Sequence, residues 1–468
     1  MIVMKFGGTS VGSEDALRNV AAIVAQQAEK QPIVVVSALS KVTDSLGKMA
    51  AQSCQGIMPD ALIAEMKERH LTVADALFDK SDSAELITIF VSLFEELENI
   101  CRGITLLQEL TPRTRDLISS FGERLSAPLV AATLRKNGVD AEPFDARELI
   151  RTNERYTEAE VDFDITNGLI DALLIPVVEG GTVPVVTGFV GSTEEGVTTT
   201  LGRGASDYTA SIIASAVHAE EIWIWTDVDG AMSADPRIVA EARVIDKITY
   251  HEAAEMSYFG AKVLHPKTML PAVRDRIPIR IKNTFNPDGT GTLISDKTVF
   301  SATGIKTVTS IDRLCLVTIQ GSGLIGLPDT PARVFQTTAA HRVNVIMITQ
   351  ASSEHDICIL IDEDDRNTVV TGLQDEFSRE LERGTLDEVS AQPNVAVVAV
   401  VGEGMKGTPG VAARTFGILG EHQVNIIAIA QGSSELNISF VVDHEDLEKT
   451  VRFVHAAFEL NAVGVHTG

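Results

Sequence analysis

Short apolar runs alternate with amphipathic stretches along the first 295 residues of the chain. The runs are rich in valine and isoleucine and have the length of buried strands; they read IVMKF, PIVVVSAL, VPVVTGFVG, EEIWIWTDV and IPIRIKN. Apolar residues recur at helical spacing in residues 14–30, 60–100 and 112–137. Strands separated by helices predict an α/β domain of three layers with a mainly parallel sheet over residues 1–295. The long helical stretch 58–103 predicts a protruding subdomain within it.

An internal repeat follows the first domain. Moved forward by 81 positions, residues 315–362 align without a gap with residues 396–443, and nineteen of the 48 positions are identical. Each copy reads as strand, glycine loop, helix, strand, turn, strand and second helix. The repeat predicts two α+β modules over residues 313–390 and 391–468, preceded by a linker or added strand over residues 296–312. The segment TGIKTVTSI can add a strand to either module, so side-by-side and interleaved arrangements both stay open.

Both copies of the repeat contain G-x-G-x-x-G between a strand and a helix, which is also the pattern of a dinucleotide-binding loop. The glycines are Gly321, Gly323 and Gly326 in the first copy, and Gly402, Gly404 and Gly407 in the second. Pro328 and Pro409 follow them closely, and the next strands end in Gln350 and Gln431 rather than in an acid that would bind a ribose. Each unit is also short for a dinucleotide-binding domain. The pattern therefore disfavours a dehydrogenase.

Composition narrows the class of partner and the compartment. The formal net charge is −26, which argues against nucleic acid and anionic membranes as partners. The four cysteines show no C-x-x-C spacing, which predicts a reduced, cytoplasmic protein. The sequence shows no signal peptide at its start, and no uncharged apolar run approaches 18 residues, so no membrane span is predicted.

Candidate phosphate-binding residues follow the first predicted strand in KFGGTSVG. Lys5 is a cation, and Gly7 and Gly8 form a turn whose backbone N–H groups are expected to be free for a phosphate, next to the positive end of a helix. The alternative is a plain tight turn in which Thr9, Ser10 or Ser13 caps the helix. No Walker A, H-R-D or D-F-G pattern occurs, so the standard P-loop and protein-kinase machinery is not predicted.

Other polar candidates lie where strands end or helices begin. SSFGERLSAP contains Glu123, and TTLGRGASDYTAS contains Arg203 between glycines, ahead of Ser206 and Asp207. An arginine at a helix N-terminus suits an anion or a metal-bridged phosphate. The alternatives are that Glu123 lies on a solvated helix face and that the aspartates of WTDVDGAMSADPR only form turns.

Five segments in this order, KFGGTSVG, SFGERLS, TLGRGASD, WTDVDG and FGAKVLHP, resemble the aspartate kinases of the amino-acid kinase family. The repeats resemble their paired ACT modules, which have a ferredoxin-like fold, so the resemblance covers essentially the whole chain. It implies phosphorylation of the β-carboxylate of L-aspartate by ATP with Mg²⁺, the first step toward lysine, threonine and methionine. The length of 468 residues predicts a kinase that is not fused to homoserine dehydrogenase. The alternatives are an amino-acid sensor with an inactive kinase domain and a sibling amino-acid kinase.

The resemblance also implies roles for individual residues. The catalytic set is Lys5, Gly7, Gly8, Asp207 and Lys262, with Asp207 as the ligand of Mg²⁺. The residues implied to bind aspartate are Ser37, Thr43, Glu123, Arg203 and Ser206. The residues implied to bind ATP are Lys5, Gly7, Gly8, Thr9, Thr226, Asp227, Arg237, Lys262 and Val263.

The implied roles agree with the charges of the two reactants, which are both anions. The lysines would neutralise the transferring phosphoryl group, Arg203 would bind the α-carboxylate with two N–H groups, and Glu123 would pair with the α-ammonium. No general base is needed, because the attacking carboxylate is ionised at neutral pH. The chain departs from the family pattern at Ala205, where a glycine is usual, and at Met232, where a tyrosine is frequent.

The ACT modules predict regulation by an amino acid, with threonine favoured over lysine, and assembly into a homodimer or homotetramer. The effector candidates are Asp329, Asn344, Gln350, Asn425 and Gln431. In the second copy, Asn425 and Gln431 have the alternative role of binding backbone groups at the sheet ends.

Overall fold

The computed structural model describes residues 1–261, 264–298, 301, 303–321, 329–350 and 356–461, and it divides into two compact units. The first unit comprises Met1–Ala231, Asp246–Tyr250 and Val263–Lys297. The second comprises Met232–Ile245, His251–Lys262 and Thr298–Gly468. Two segments that the sequence analysis assigned to the catalytic domain therefore cluster with the second unit.

The first unit is built on an eight-stranded sheet with the order β3-β4-β2-β1-β7-β9-β10-β8 and a separate two-stranded hairpin of β5 and β6. The strands are β1 (Ile2–Phe6), β2 (Pro32–Val36), β3 (Ala141–Phe144), β4 (Val183–Thr187), β5 (Val190–Ser192), β6 (Thr198–Thr200), β7 (Ile222–Thr226), β8 (Lys247–Thr249), β9 (Ile279–Asn283) and β10 (Thr292–Ser295). All pairs in the large sheet are parallel except that of β9 with β10. The mainly parallel sheet is confirmed, and four of the five predicted strands are β1, β2, β7 and β9, while the run VPVVTGFVG forms two strands, β4 and β5.

Helices cover both faces of this sheet. They are α1 (Glu14–Gln26), α2 (Val42–Cys54), α3 (Asp60–Leu77), α4 (Ala84–Leu107), α5 (Pro112–Ser119), α6 (Phe121–Lys136), α7 (Ala146–Leu149), α8 (Phe163–Leu173), α9 (Ile175–Glu179), α10 (Ala205–Ala216) and α12 (Pro266–Asp275), while α11 (Tyr250–Tyr258) belongs mostly to the second unit. Met4 and Phe6 of β1 belong to a buried cluster with α1 and α6, while Lys5 of the same strand contacts α10. Because neighbouring residues of a strand face opposite sides, the sheet lies between two helical layers.

The predicted protruding subdomain was wrong. Met66 of α3 and Phe90 and Phe94 of α4 are buried in the same apolar cluster as Met4 and Phe6 of β1. The apolar faces of the long helices therefore complete the core of the first unit. The length of a helical stretch does not reveal which part of the fold buries its apolar face.

The second unit contains a six-stranded antiparallel sheet with the order β12-β13-β11-β14-β16-β15. Its strands are β11 (Thr307–Gln320), β12 (Met347–Gln350), β13 (Asp356–Asp362), β14 (Glu388–Val401), β15 (Ala428–Ala430) and β16 (Asn437–Asp443). Its helices are α13 (Thr330–Ala340), α14 (Arg366–Glu376), α15 (Ser378–Glu382), α16 (Val411–Glu421) and α17 (Leu447–Ala457), in addition to most of α11.

The two repeats exchange strand segments. Residues 307–311 of β11 pair with residues 397–401 of β14, and residues 388–392 of β14 pair with residues 316–320 of β11. Val308 is accordingly buried in the apolar cluster of the second repeat, and Val389 in that of the first. The modules are interleaved, and the segment before each repeat adds a strand to the other one.

The glycines of the second G-x-G-x-x-G serve a close backbone contact. A Cβ atom at Gly402 would lie 2.4 Å from the carbonyl oxygen of Gly304, and one at Gly404 would lie 2.6 Å from the Cα of Gly304. The glycines therefore allow the segment before β11 to approach the loop after β14. In the first copy, residues 322–328 lie outside the described residues.

Candidate active site

The turn after β1 is held against the neighbouring strand β7. The N–H of Gly7 donates to the carbonyl of Trp225, with an N–O distance of 3.0 Å. The expectation of a free N–H was therefore wrong for Gly7, because this donor continues the pairing of the two parallel strands. Within the described residues, the N–H of Gly8 meets no acceptor, so it stays available. The cap of α1 is Ser13, whose hydroxyl accepts from the N–H of Ala16.

Lys5 and Asp207 form an ion pair beneath this turn. The Nζ of Lys5 lies 2.7 Å from the Oδ1 of Asp207, and both side chains are largely shielded from solvent. Asp207 lies in the first turn of α10, where the positive end of the helix dipole also stabilises a carboxylate. The pair fixes the ammonium of Lys5 at the carboxyl end of the sheet.

The loop before α10 needs an unusual backbone. Gly204 caps the helix with φ of 70°, a left-handed conformation that suits glycine, whereas Ala205 does not have a positive φ. The methyl group of Ala205 is therefore tolerated, as expected for this departure from the family pattern. Arg203 is exposed and makes no ion pair within the described residues, so its guanidinium is available to an anion.

Glu123 of α6 is a buried carboxyl group with one unused oxygen. Its side chain is 4% exposed; Oε1 accepts from the N–H of Ala38 at 3.0 Å, while Oε2 meets no partner among the described residues. Burial raises the pKa of Glu123 to about 8, against the opposing effects of the Ala38 hydrogen bond and the charge of Lys5. The carboxyl is therefore mostly protonated at neutral pH. Its burial excludes the alternative of a solvated helix face.

One cavity of about 330 Å³ in the first unit brings these groups together. The predicted residues that line it are Lys5, Gly8, Ser37, Thr43, Glu123, Arg203, Ser206 and Asp207. All five candidates for aspartate binding belong to this set. Three of the lining side chains are cations, and with Glu123 protonated only Asp207 is an anion. In a chain of net charge −26, this cavity is electrostatically suited to an anionic ligand.

Of the nucleotide candidates, Lys5 and Gly8 line the cavity, whereas Gly7, Thr9, Thr226, Asp227 and Arg237 do not. Thr226 ends β7 and donates its hydroxyl to the Oδ1 of Asp227 at 3.2 Å. Arg237 belongs to the second unit, where it is exposed and pairs with Asp235 at 2.5 Å. Lys262 and Val263 lie outside the described residues.

Asp207 fits the role expected for a Mg²⁺ ligand. The described residues contain no group of three or more His, Cys, Asp or Glu side chains that could hold a metal. Mg²⁺ is commonly held by one or two carboxylates together with substrate phosphates, so a single carboxylate in a phosphate-binding cavity suits it. Met232 belongs to the second unit, where its carbonyl accepts from the hydroxyl of Thr307 at 2.9 Å.

The sequence analysis missed a cation of the cavity lining and also a buried acid that is not part of that lining. Lys41 lines the cavity in the turn before α2, with φ of 66°. Asp116 is buried and accepts from the N–H of Thr157 and from the N–H and hydroxyl of Thr200. The sequence signal for Lys41 was its place in the segment SALSKVTD, between Ser37 and Thr43, which are both implied to bind aspartate. The signal for Asp116 was an acid on the buried face of a short helix.

The effector candidates lie on exposed parts of the second unit. Asn344, Gln350, Asn425 and Gln431 are exposed, and none of their side chains makes a hydrogen bond within the described residues. The alternative that Asn425 and Gln431 bind sheet-end backbone is therefore not supported. Asp329 is exposed before α13 and does not cap it through its side chain.

Comparison with known proteins identifies similar chains for both units. The profile of the amino acid kinase family matches residues 1–283, and an ACT domain profile matches residues 317–377 and 398–458. A bifunctional aspartokinase/homoserine dehydrogenase 2 of Arabidopsis thaliana, a chloroplastic protein, is 36% identical over all of this chain and 51% of its own length. Chloroplastic aspartokinase 1 of the same plant is 34% identical over 97% of this chain and 80% of its own. The chain thus spans about half the length of the bifunctional relative.

A solved structure supports the same assignment. Escherichia coli aspartokinase III in complex with aspartate and ADP (R-state) has a TM-score of 0.81 and 33% identity, covering 98% of this chain and 99% of the other. The same enzyme in complex with lysine and aspartate (T-state) gives a TM-score of 0.79. The predicted architecture, with an N-terminal kinase domain and C-terminal ACT modules, is confirmed.

Proposed function

The chain belongs to the amino acid kinase family, and from this premise we propose that it transfers the γ-phosphoryl group of ATP to the β-carboxylate of L-aspartate. The products are 4-phospho-L-aspartate and ADP. The observation that carries the proposal is the cavity in which the buried, half-partnered Glu123 lies together with Lys5, Lys41 and Arg203. Such a cavity offers cations for two carboxylates and one acid for an ammonium group, which is the charge pattern of aspartate.

Different residues of the cavity bind different groups of the substrate. Arg203 binds the α-carboxylate with paired N–H groups, and Glu123, once ionised, pairs with the α-ammonium. Ser37, Thr43 and Ser206 supply hydrogen bonds. Selection of an amino acid over a plain dicarboxylate then rests on Glu123, because only a ligand with an ammonium group gives the unused oxygen of this carboxyl a partner.

Lys5 and the Gly8 N–H act on the transferring phosphoryl group. A β-carboxylate oxygen attacks the γ-phosphorus, the bond from that phosphorus to the bridging oxygen breaks, and ADP leaves with the electron pair. Because this transition state is stabilised mainly by position and charge, a lysine held by Asp207 is placed before the reaction begins. Asp207 would hold Mg²⁺, which would supply further neutralisation of the phosphate charge. We also assign Lys262, Thr226, Asp227 and Arg237 to the nucleotide.

Regulation by an amino acid is proposed for the ACT modules. Asn344 and Gln350, with Asn425 and Gln431, offer exposed amide groups at equivalent places of the two repeats. Threonine is our preferred effector. Lysine is the alternative, and the E. coli aspartokinase III structure in complex with lysine supports this alternative by analogy. Inhibition needs only a difference in effector affinity between two states of the enzyme.

Assembly and location complete the proposal. We propose a homodimer or homotetramer formed through the ACT modules. The four free cysteines suit a reducing, cytoplasmic compartment, and within the described residues no helix is both long and apolar enough to cross a membrane. The plant relatives are named chloroplastic, so the compartment of this protein has to be measured separately.

Release of ADP by the purified chain tests the function. With ATP and Mg²⁺ present, turnover is expected with L-aspartate and not with succinate, which lacks the ammonium group. Threonine is expected to suppress this turnover; suppression by lysine alone would replace the effector and keep the kinase. Amino-acid binding without aspartate-dependent turnover would favour the sensor, and turnover with another amino acid alone would favour a sibling kinase.

A further inference from the structure

Lys41 occupies a backbone position that favours glycine. It directly precedes α2, its φ is 66° and its ψ is 0°, and it begins the helix without a side-chain cap. A left-handed conformation is uncommon for a residue with a Cβ, and asparagine or glycine adopts it more readily. A long cationic side chain is therefore not the residue that the turn itself favours.

The side chain of Lys41 is exposed and lines the cavity described above. Among the described residues it forms no ion pair, whereas the other cavity lysine, Lys5, is bound to Asp207 at 2.7 Å. The two acids of the lining are thus a paired Asp207 and a Glu123 that burial keeps mostly protonated. The cavity itself leaves Lys41 without an anion.

We infer that Lys41 is a substrate-affinity residue whose ammonium group binds a carboxylate of the acceptor substrate. The inference deepens the proposed function and rests on it. Lys41 shares the lining with Ser37, Thr43 and Arg203, which are assigned to aspartate, while Thr226 and Asp227, which are assigned to the nucleotide, are not part of that lining. Its contribution therefore falls on the affinity for aspartate rather than for ATP.

Four variants separate the charge of Lys41 from its backbone. Lys41→Gln and Lys41→Gly both remove the charge, but only glycine also suits the left-handed turn. Lys41→Arg keeps a cation. Lys48→Gln is the matched control, because Lys48 is an exposed lysine of the same helix that does not line the cavity.

Steady-state kinetics with aspartate and with ATP give the result. We expect KM for aspartate to rise about tenfold in both Lys41→Gln and Lys41→Gly, in keeping with the loss of one hydrogen bond to a charged group. KM for ATP is expected to change less than twofold, Lys41→Arg to recover most of the affinity, and Lys48→Gln to match the parent chain. The difference should shrink at high salt, because this cation is exposed. Lys41→Gly is expected to unfold at no lower temperature than the parent.

Three outcomes would overturn the inference. They are an unchanged KM for aspartate in both neutral variants, a glycine variant that keeps the parent KM, and a change confined to KM for ATP. A parent chain without aspartate-dependent turnover contradicts the proposed function and this inference with it. If the parent chain turns over aspartate and the Lys41 variants keep its KM for aspartate, the inference alone is contradicted.

Discussion

Aspartate affinity is expected to depend steeply on pH, because Glu123 must ionise to pair with the ammonium group. Burial raises the pKa of this carboxyl to about 8 in the free enzyme. The ionised fraction is then about one tenth at pH 7 and about one hundredth at pH 6. If only the carboxylate binds, KM for aspartate falls about tenfold from pH 6 to pH 7, about fivefold from pH 7 to pH 8, and levels above pH 9, with about 1.4 kcal/mol of binding free energy for the tenfold step.

Two measurements on the same samples test this dependence. KM for aspartate is obtained from ADP release between pH 6 and pH 9. KM for ATP is the control, because it is not expected to fall with rising pH in the same way. Calorimetry at pH 7 in buffers of different ionisation enthalpy is expected to show release of about one proton for each aspartate bound. A KM for aspartate that stays constant or rises from pH 6 to pH 8 would refute the assignment of Glu123 to the ammonium group.

Stability of the ligand-free chain gives an independent check on Glu123. Because the pKa of this carboxyl is raised in the folded state, its contribution favours folding below the usual value of 4.5 and is lost as pH rises through about 8. The neutral variant Glu123→Gln avoids this loss. Its unfolding temperature relative to the parent is therefore expected to increase from pH 5 to pH 9, while its aspartate turnover is lost. A difference that is constant with pH would contradict the raised pKa.

Three further changes test the phosphate turn and the regulatory modules. Gly8→Ala would place a Cβ atom 2.9 Å from the carbonyl oxygen of Ala38, so we expect a folded chain whose kcat/KM falls by at least roughly tenfold; near-parent kinetics would contradict a tight turn. Gln350→Ala is expected to weaken threonine inhibition in a titration of turnover, and unchanged inhibition would remove Gln350 from the effector site. Tyr258 of α11 donates to the carbonyl of Ile346 at 2.8 Å, two residues from the effector candidate Asn344. Tyr258→Phe is therefore expected to raise the inhibitory concentration of threonine about fivefold at similar uninhibited turnover, and an unchanged titration would contradict a link between this hydrogen bond and the effector site.

Strands β1, β2, β4, β7 and β9 could be predicted because their runs are rich in valine and isoleucine and are largely buried. The run VPVVTGFVG was read as a single strand, although it forms two, β4 and β5, which are separated by a turn at Gly188 and Phe189. Phe189 has φ of 74°, a conformation that its residue type does not signal. The interleaving of β11 and β14 was also open, because the pairing partner of a strand depends on residues far away in the chain.

The site could be predicted where motif and chemistry agreed, as for Lys5, Glu123, Arg203 and Asp207, which come from three separate segments and line one cavity. What the sequence could not show was how neighbouring backbone uses the same groups. The N–H of Gly7 is taken by a carbonyl more than two hundred residues away, which only strand pairing reveals. Lys41 was missed for a related reason, since its left-handed backbone and its place in the cavity are properties of the fold.

The identity of the phosphorylated group tests the central claim most directly. The chain is incubated with ATP, Mg²⁺ and L-aspartate in the presence of hydroxylamine, which converts an acyl phosphate to a hydroxamate, and the product is identified by mass spectrometry against α- and β-hydroxamate standards. We expect aspartate β-hydroxamate in equal amount to the ADP released. ADP without hydroxamate, or the α-hydroxamate, would contradict phosphoryl transfer to the β-carboxylate.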